Sequence, residues 1–362
     1  MFGIGLDEFH RFNQRRFETW PHTLSATSTH DTKRGEDVRA RLNVLSEMPE
    51  VWERALKTWN KVNAKHKKKK GELRIPERND EYLLYQTLVG AYPFRENDYH
   101  GFKERIKQYM VKAVRGAKVH TAWLKPDQEY EEACLSFVDE IMTRSPQNAF
   151  LEQFLPLQKR VAFYGIFNSL SQSLIKITCP GVPDFYQGAE FWDLNLVDPD
   201  NRRPVDFEKR RAILREIAAR VEGDRPALIG ELLQTRNDGR IKLFLLLMGL
   251  RARREYPQVF QRGRYLPLTA SGRYEDHVVA FARDAEELWA VTIVPRFLVG
   301  LVREEEYPLG TAIWQDTRVP LPDGLSRTWR NALTGEVVHA RDSLVIGEIL
   351  QSFPVALLVK EP

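Results

Sequence analysis

The chain has 362 residues, of which 43% are hydrophobic and 29% are charged, and its 54 basic and 50 acidic side chains leave a net charge of +4. This length suits two or three globular domains, and the composition excludes disordered, collagen-like, coiled-coil and small disulfide-stapled proteins. The nearly balanced charge gives no electrostatic case for nucleic-acid binding. No apolar run approaches the roughly 18 residues of a membrane span, and the charged N-terminal stretch does not resemble a signal peptide.

The cysteine content indicates a reducing environment. Cys134 and Cys179 each lie among apolar residues, which predicts two small buried side chains rather than a disulfide. We therefore expect a cytoplasmic protein.

Hydrophobic periodicity predicts a mainly helical chain up to about residue 260. His22–Thr29 is short and rich in β-branched and small residues, so it is predicted to be a buried strand. Lys65–Lys70 is predicted to be a solvated loop, with a nucleic-acid-binding patch as the alternative. Phe150–Ile177 is apolar on most sides and is predicted to be a buried helix that bends or breaks at Pro156. Apolar side chains that recur at three and four residues predict the other helices, over Arg34–Glu47, Val51–Ala64, Asn79–Gly90, 101–118, 127–143, Asp206–Arg220 and Arg240–Arg254.

The remaining segments are predicted to be strands. Val182–Tyr186 follows a Pro-Gly helix stop and reads as a second buried strand. From residue 261 the chain alternates short apolar runs with turn residues, among them the runs Leu288–Val294 and Phe297–Val302 and the turn Thr334-Gly335. This pattern is typical of a small β-sandwich.

The first candidate site follows the first predicted strand. His30, Asp31, Lys33 and Arg34 stand between that strand and a helix, which is where parallel α/β folds place their ligands. Two alternatives remain open from spacing alone. Asp31 or Thr32 could simply cap the helix, or the His-Asp pair could contribute to a metal site whose other ligands come from elsewhere.

A second candidate site follows Val182–Tyr186. The loop that starts there holds aromatic rings and planar hydrogen-bonding groups, which are what a sugar ring needs for stacking and for reading its hydroxyls. The alternative is that its aromatic residues are core, namely Phe185, Phe191 and Trp192. Leu196–Asp206 is a rigid polar loop with three acids and two arginines, and a network of ion pairs would explain much of it.

Several separated motifs resemble one known family. His30-Asp31 after a strand is similar to the fourth sequence region of the α-amylase superfamily, glycoside hydrolase family 13. The run VPDFYQGAEFWDLNLVDPDNRRPVDF resembles that family's last barrel strand and the following loop. THDTKRGEDVRARLNVLSE, RNDEYLLYQTLVGAYP and CPGVPDFYQG resemble its glucosylmutase members, which turn the reducing-end α-1,4 link of a maltooligosaccharide into an α,α-1,1 link.

The resemblance implies roles for individual residues. Asp31 would be the carboxylate that stabilises the oxocarbenium-like transition state, and His30 would bind hydroxyls of the same sugar. Lys33 and Arg34 would lie near the acceptor glucose. The other substrate-binding residues that it implies are Tyr186, Gln187, Glu190 and Arg202. No cofactor and no metal is implied.

The resemblance also implies that part of the enzyme lies outside this sequence. Retaining glycosyl transfer needs a nucleophile and a general acid about 5–5.5 Å apart, and no carboxylate in Met1–His22 matches either motif. A (β/α)8 barrel has eight strands, of which only the last two are expected here. We therefore predict an α/β plus all-β chain: residues 1–258 form the C-terminal part of the catalytic barrel with a helical insertion at about 45–150, and residues 259–362 form a C-terminal β-sandwich.

Three functions remain open at this stage. The chain could be the C-terminal portion of a glucosylmutase that makes maltooligosyltrehalose, inactive alone, with the N-terminal half of the same enzyme and a maltooligosaccharide as partners. It could instead be a non-catalytic maltooligosaccharide-binding protein. It could also be a fragment of an ordinary α-glucan hydrolase or transferase. We expect neither nucleic acid nor a membrane among its partners.

Overall fold

A computed structural model describes residues 3–322 and 328–360. The α-helices are α1 (Leu6–Thr19), α2 (Glu36–Val44), α3 (Pro49–Asn63), α4 (Arg78–Ala91), α5 (Tyr99–Ala117), α6 (Gln128–Met142), α7 (Ala149–Thr178), α8 (Phe207–Gly223), α9 (Arg225–Gln234), α10 (Arg240–Glu255), α11 (Pro257–Arg262), α12 (Thr311–Trp314) and α13 (Ile346–Ile349). The strands are β1 (Leu24–Ala26), β2 (Lys68–Lys70), β3 (Leu73–Ile75), β4 (Val182–Asp184), β5 (Arg264–Leu268), β6 (Val278–Ala285), β7 (Leu288–Pro295), β8 (Arg318–Pro320), β9 (Thr328–Asn331), β10 (Val337–His339), β11 (Ser343–Val345) and β12 (Ala356–Lys360).

The chain divides into two compact units. The first, called here the sheet unit, comprises Met1–Thr29, Ile166–Trp192 and Pro204–Pro362, and the second, the helical unit, comprises His30–Gly165 and Asp193–Arg203. The division falls inside α7, whose residues belong to the helical unit up to Gly165. The predicted boundaries at residue 258 and at about 45–150 stay predictions.

The helices of the helical unit follow their sequence signals closely. Pro49 opens α3, where its missing N–H costs nothing. The Asp127 carboxylate accepts the Tyr130 N–H at 3.0 Å and so caps α6. The predicted helices over this part of the chain are confirmed to within a few residues at each end, because their apolar stripes recur with the helical period.

An aromatic cluster forms part of the interior of the helical unit. Trp59 of α3 lies edge-on to Tyr85 of α4 and to Phe150 of α7, with ring centroids 5.4 and 5.6 Å apart. Phe154, one turn further along α7, stacks on Phe150 at 5.2 Å. Each such pair contributes about 0.5–1.5 kcal/mol beyond the area it buries, so the cluster holds three helices together.

A buried arginine passes between α2 and α7. Arg41 is 2% exposed, and its Nη1 donates to the carbonyls of Gly90 and Tyr92 at 3.0 and 2.6 Å. Burial lowers its pKa to about 9. A Cβ at Gly165 would lie 2.5 Å from the Arg41 Cγ, so α7 can approach Arg41 this closely only through a glycine.

The lysine-rich segment is not the loop that its composition predicts, although Lys65, Lys68 and Lys69 are solvent-exposed as expected. Lys68–Lys70 forms β2 and pairs antiparallel with β3. The Lys67 ammonium lies 2.5 Å from Glu81, and the Lys70 ammonium lies 2.6 Å from Asp127. The prediction fails because these carboxylates stand 14 and 57 residues further along the chain, beyond the reach of local composition.

The sheet unit contains a six-stranded antiparallel sheet in the order β10-β9-β12-β7-β6-β5. A two-stranded sheet, β11-β8, contributes Leu344 and Val319 to the same buried cluster as the larger sheet, together with Trp314 and Trp329. The predicted strand-rich C-terminal region and the turn at Thr334-Gly335 are confirmed, with Gly335 at φ +83° between β9 and β10. The description of this region as a sandwich domain stays a prediction.

The two predicted barrel strands are shorter and more exposed than expected. β1 and β4 pair in parallel, with Leu24 opposite Val182, but Leu24 is 69% and Val182 is 41% exposed. Neither His22–Thr29 nor Val182–Tyr186 is therefore a buried strand. Within the described residues, β1 and β4 form a sheet of two strands only, and these two side chains remain accessible to solvent.

Two further expectations differ from the structure. The apolar run Phe297–Val302 is not a strand, because Phe297 has φ +56° and a single 3-10 turn follows at Leu298–Gly300. Pro156 lies inside α7, which is one continuous helix of 30 residues, so the predicted break does not occur and the predicted bend stays a prediction. In the part of the chain that the structure describes, no helix is long and apolar enough to cross a membrane.

Candidate functional site

His30 and Asp31 lie on an exposed turn that follows β1. Their side chains are 54% and 83% exposed, and His30 Nε2 lies 3.5 Å from Asp31 Oδ2. A carboxylate and an imidazole side by side in water offer hydrogen-bond acceptors and a donor to a hydroxyl-rich ligand. Lys33 is exposed beside them.

The helix-capping interpretation of Asp31 and Thr32 is wrong. α2 starts at Glu36, and its N-cap residue is Gly35, which has no side chain that could cap the helix. The Glu36 N–H instead donates to the carboxylate of Asp193 at 3.3 Å. A Cβ at Gly35 would lie 2.6 Å from the Asp193 carbonyl oxygen, so a glycine allows this close approach.

Arg34 is partly committed to protein contacts. Its guanidinium donates to Gln86 Oε1 at 3.3 Å and to Thr87 Oγ1 at 3.2 Å, both on α4. Its backbone forms an isolated antiparallel bridge with Leu196. The segment that carries His30 to Arg34 is thereby held between α4 and the loop 193–203 of the helical unit.

The loop 193–203 also contacts His30 directly. Asn201, 6% exposed, donates its Nδ2 proton to the His30 carbonyl at 2.8 Å. Next to it, Arg202 is 57% exposed and pairs with Asp198 at 2.7 Å. The loop that carries Arg202 is therefore in contact with the segment that carries His30.

The ion-pair interpretation of this loop is largely confirmed. Asp200 pairs with Arg105 at 2.6 Å and with Arg203 at 3.1 Å. Lys112 of α5 donates to the Asp198 carbonyl. These acids have structural partners, and of the loop's charged side chains Arg202 is the most exposed.

The sheet unit carries the second set of candidate residues, after β4. Tyr186 starts a turn in which the Ala189 N–H donates to its carbonyl at 3.0 Å, and Gln187 at the turn is exposed. The Glu190 carboxylate is paired with Arg210 of α8 at 2.9 Å. Of the three predicted residues in this loop, Glu190 already has a charged partner inside the protein.

The aromatic residues of this loop are half-buried rather than core. Lys176 of α7 lies 3.8 Å from the centroid of the Phe185 ring and donates to Thr27 Oγ1 at 2.6 Å. Arg210 lies 5.1 Å from the Phe191 ring, and the Trp192 indole N–H donates to the Arg236 carbonyl at 2.9 Å. Cations and a carbonyl therefore fix the orientation of these rings.

Among the residues that the structure describes, no group of three or more His, Cys, Asp or Glu side chains is arranged to hold a metal ion. Cys134 and Cys179 are buried free thiols as predicted, and burial raises the pKa of each to about 12.

Sequence reasoning did not find Asn201, Asp193 or Arg105. Asn201 and Asp193 stand inside motifs that the resemblance covers, but nothing local reveals that they contact residues 171 and 157 positions away. Arg105 is one polar position of an amphipathic helix, and its partner Asp200 is 95 positions away.

The chain is similar in sequence and in fold to one class of proteins, the maltooligosyltrehalose synthases. Two strains of Mycobacterium tuberculosis each have a protein named "Putative maltooligosyl trehalose synthase" that is 34% identical over 360 residues, covering 99% of this chain and 40% of that protein. No protein-family model matches the chain.

Solved structures show the same relationship. The maltooligosyltrehalose synthase of Arthrobacter ramosus superposes with a TM-score of 0.77 at 32% identity, over 99% of this chain and 41% of that one. A hypothetical maltooligosyl trehalose synthase of Sulfolobus tokodaii gives a TM-score of 0.71 at 30% identity, over 99% and 41%. The resemblance inferred from the motifs is confirmed, and the chain spans about 40% of the length of the curated relatives that it matches.

Proposed function

We propose that this chain is the C-terminal portion of a glucosylmutase that converts the reducing-end α-1,4 linkage of a maltooligosaccharide into an α,α-1,1 linkage. The observation that carries the proposal is the similarity to maltooligosyltrehalose synthases over 99% of the chain at 34% identity. The exposed His30-Asp31 turn is the second support, because it leaves both side chains accessible to a sugar.

The reaction is a double displacement within one active site. In the complete enzyme, a carboxylate nucleophile outside this sequence attacks the anomeric carbon of the penultimate glucose while a carboxylic acid protonates the leaving glucose. The released glucose turns, its own anomeric hydroxyl attacks the intermediate, and the general base takes the hydroxyl proton. Two inversions leave the α configuration unchanged.

Residues of this chain supply electrostatic stabilisation and binding. The Asp31 carboxylate stabilises the positive charge that develops on the sugar ring, and His30 binds a hydroxyl of that ring. Lys33, exposed beside them, is assigned to binding of the acceptor glucose. The Arg34 guanidinium donates to Gln86 and Thr87. Fewer of its N–H groups are therefore available to a sugar hydroxyl than in an unpaired arginine.

Further sugar contacts come from the second polar loop and from loop 193–203. The residues assigned to substrate binding there are Tyr186, Gln187, Glu190 and Arg202. Because Glu190 is paired with Arg210, we expect it to contribute less binding than the exposed Gln187.

The partner of this chain is the remaining portion of the same enzyme. Parallel strands are normally covered on both faces, whereas β1 and β4 expose Leu24 and Val182 and, just before them, Trp20 is 72% exposed. Additional strands beside this pair would cover those side chains and supply the two missing carboxylates. The barrel description, the β-sandwich and a cytoplasmic location belong to the same proposal.

The decisive experiment uses the complete enzyme and counts reducing ends. Incubation with maltopentaose is expected to reduce the number of reducing ends, whereas a hydrolase would increase it and a binding protein would leave it unchanged. Asp31→Asn is expected to lower kcat by about 100- to 1,000-fold without affecting folding, since the side chain is exposed. Glu53→Gln is the matched control, because Glu53 is an exposed carboxylate that pairs with Lys57 of its own helix. Near-normal turnover of Asp31→Asn would overturn the assignment of Asp31.

A further inference from the structure

A two-pronged ion pair connects helix α5 to loop 193–203. Arg105 Nε lies 2.6 Å from Asp200 Oδ1, and Arg105 Nη2 lies 2.8 Å from Asp200 Oδ2. The two side chains are only 16% and 10% exposed. Burial by itself would raise the pKa of Asp200, but its hydrogen bonds and charge interaction with Arg105 bring the pKa below the ordinary value. The pair is therefore charged and geometrically restricted.

The same pair determines the shape of the loop. Asp200 Oδ2 accepts the Leu196 backbone N–H at 2.7 Å, and Arg203 Nε lies 3.1 Å from Asp200 Oδ1. Arg105 Nη2 also donates to the Leu194 carbonyl at 2.8 Å. Two backbone groups of the loop and the Arg203 guanidinium thus contact the Arg105–Asp200 pair.

The loop in turn brackets the segment that carries the candidate catalytic residues. Asn201, the residue after Asp200, donates to the His30 carbonyl at 2.8 Å. At the other end of the segment, the Gly35 N–H donates to the Asn195 carbonyl at 2.7 Å. Within the part of the chain that the structure describes, the Asp31 carboxylate contacts His30 at 3.5 Å. Its position therefore depends on how its segment is held, and these two hydrogen bonds act there together with the Arg34 contacts described above.

We propose that Arg105 and Asp200 are positioning residues, which hold His30 and Asp31 in place through loop 193–203. The inference rests on the proposed function for its catalytic consequence. Neither residue touches the sugar. They act through the loop, which donates one amide proton of Asn201 to the His30 carbonyl and accepts the Gly35 N–H at the Asn195 carbonyl. If the loop shifts, the catalytic segment shifts with it, and a displacement of about 1 Å at a reacting group can cost about 100-fold in rate.

Helix α5 also offers a matched control. Arg115 pairs with Glu131 of α6 through the same two-pronged geometry, at 2.8 and 2.7 Å, with side chains 26% and 8% exposed. This pair connects two helices, and among the described residues its hydrogen bonds are made with each other and with Thr121, not with loop 193–203. Arg115→Gln and Arg105→Gln therefore remove similar ion pairs from one helix, and only Arg105→Gln affects the loop.

The first measurement is independent of activity. Hydrogen exchange of the peptide spanning residues 28–36 is followed by mass spectrometry in the parent protein, Arg105→Gln, Asp200→Asn and Arg115→Gln. Both loop variants are expected to accelerate exchange at Gly35 and its neighbours about tenfold or more, since local opening becomes easier, while Arg115→Gln leaves it unchanged. Unchanged exchange in the two loop variants would overturn the proposal.

The second measurement is turnover of maltopentaose by the complete enzyme. We expect Arg105→Gln and Asp200→Asn each to lower kcat about 10- to 100-fold with KM altered less than threefold, and the double variant to lose no more than the worse single one. Arg105→Lys, which keeps the charge but not the fork, should recover only part of the loss. Losses equal to that of Arg115→Gln would show a purely structural role and refute the inference. If the parent enzyme forms no α,α-1,1 product, the proposed function fails, and the exchange result still decides whether the pair holds the segment.

Discussion

Arg283 of β6 is the side chain on which we expect the sheet unit to depend most strongly. It is 1% exposed, and it donates to the carbonyls of Thr178 at 2.9 Å, Gly263 at 2.8 Å and Phe260 at 3.3 Å. Thr178 is the last residue of α7, and Phe260 lies in the last turn of α11, so these acceptors are helix-end carbonyls with no helical partner. Burial lowers the pKa of Arg283 to about 10.

Replacing Arg283 by Met keeps the length of the side chain and removes every donor. Three buried carbonyls then lack a partner, at about 1–3 kcal/mol each, while removal of a buried charge returns part of that cost. We expect the free energy of unfolding to fall by about 3 kcal/mol, measured as a lower urea midpoint at unchanged m-value.

The control for this substitution is Arg251→Met. Arg251 lies on α10 in the same unit, and its Nη1 is 3.1 Å from Glu222 Oε1 in a pair whose side chains are 33% and 73% exposed. Exposed pairs contribute about 0–1 kcal/mol, so the loss should be no greater. A difference below about 1 kcal/mol between the two variants would refute the reasoning that Arg283 satisfies otherwise unpaired carbonyls.

Two further predictions concern packing and pH. Gly165→Ala should lower the free energy of unfolding by about 1–3 kcal/mol, because the new Cβ would meet Arg41. The control is Gly116→Ala, where a Cβ would have nothing within 4 Å, and it should be neutral or stabilising by up to about 1 kcal/mol in chemical denaturation. Equal effects at the two sites would contradict the packing argument. His10 bonds to the Tyr265 hydroxyl at 2.8 Å, and burial holds its pKa below 6.5. The unfolded chain therefore binds the proton more readily than the folded one. The contribution of neutral His10 to the free energy of unfolding is complete above pH 6.5 and is lost as the pH falls towards the folded pKa. His10→Gln should flatten this dependence of unfolding free energy on pH, and an unaltered dependence would assign it to other groups.

The helices of this chain could be predicted because their signals are local. The apolar stripes of α5 and α6, the proline that opens α3 and the aspartate that caps α6 all lie within the segments that they organise. The strands were located less well. Their existence follows from β-branched and apolar composition, but their burial depends on what packs against them. In the described residues β1 and β4 form a sheet of two strands that leaves Leu24 and Val182 exposed.

The candidate site shows the same division. The motif His30-Asp31, its place after a strand and the polar loop that follows β4 were all evident from residue types in order. The capping role expected of Asp31 belongs to Asp193 instead, and the anchors of the site, Asn201 and Arg105, carry no local signal.

The sequence by itself determined most of the helices, the buried cysteines and the similarity to maltooligosyltrehalose synthases, because periodicity, composition and motif order are properties of contiguous residues. The tertiary structure alone decided which carboxylates are paired with an arginine and which are exposed to solvent. Asp200 and Glu190 are paired with arginines from other helices, while Asp31 remains exposed to solvent. The physical reason is that an ion pair depends on distances of a few ångströms in space, which separations of 20 to 95 residues along the chain leave entirely to the fold.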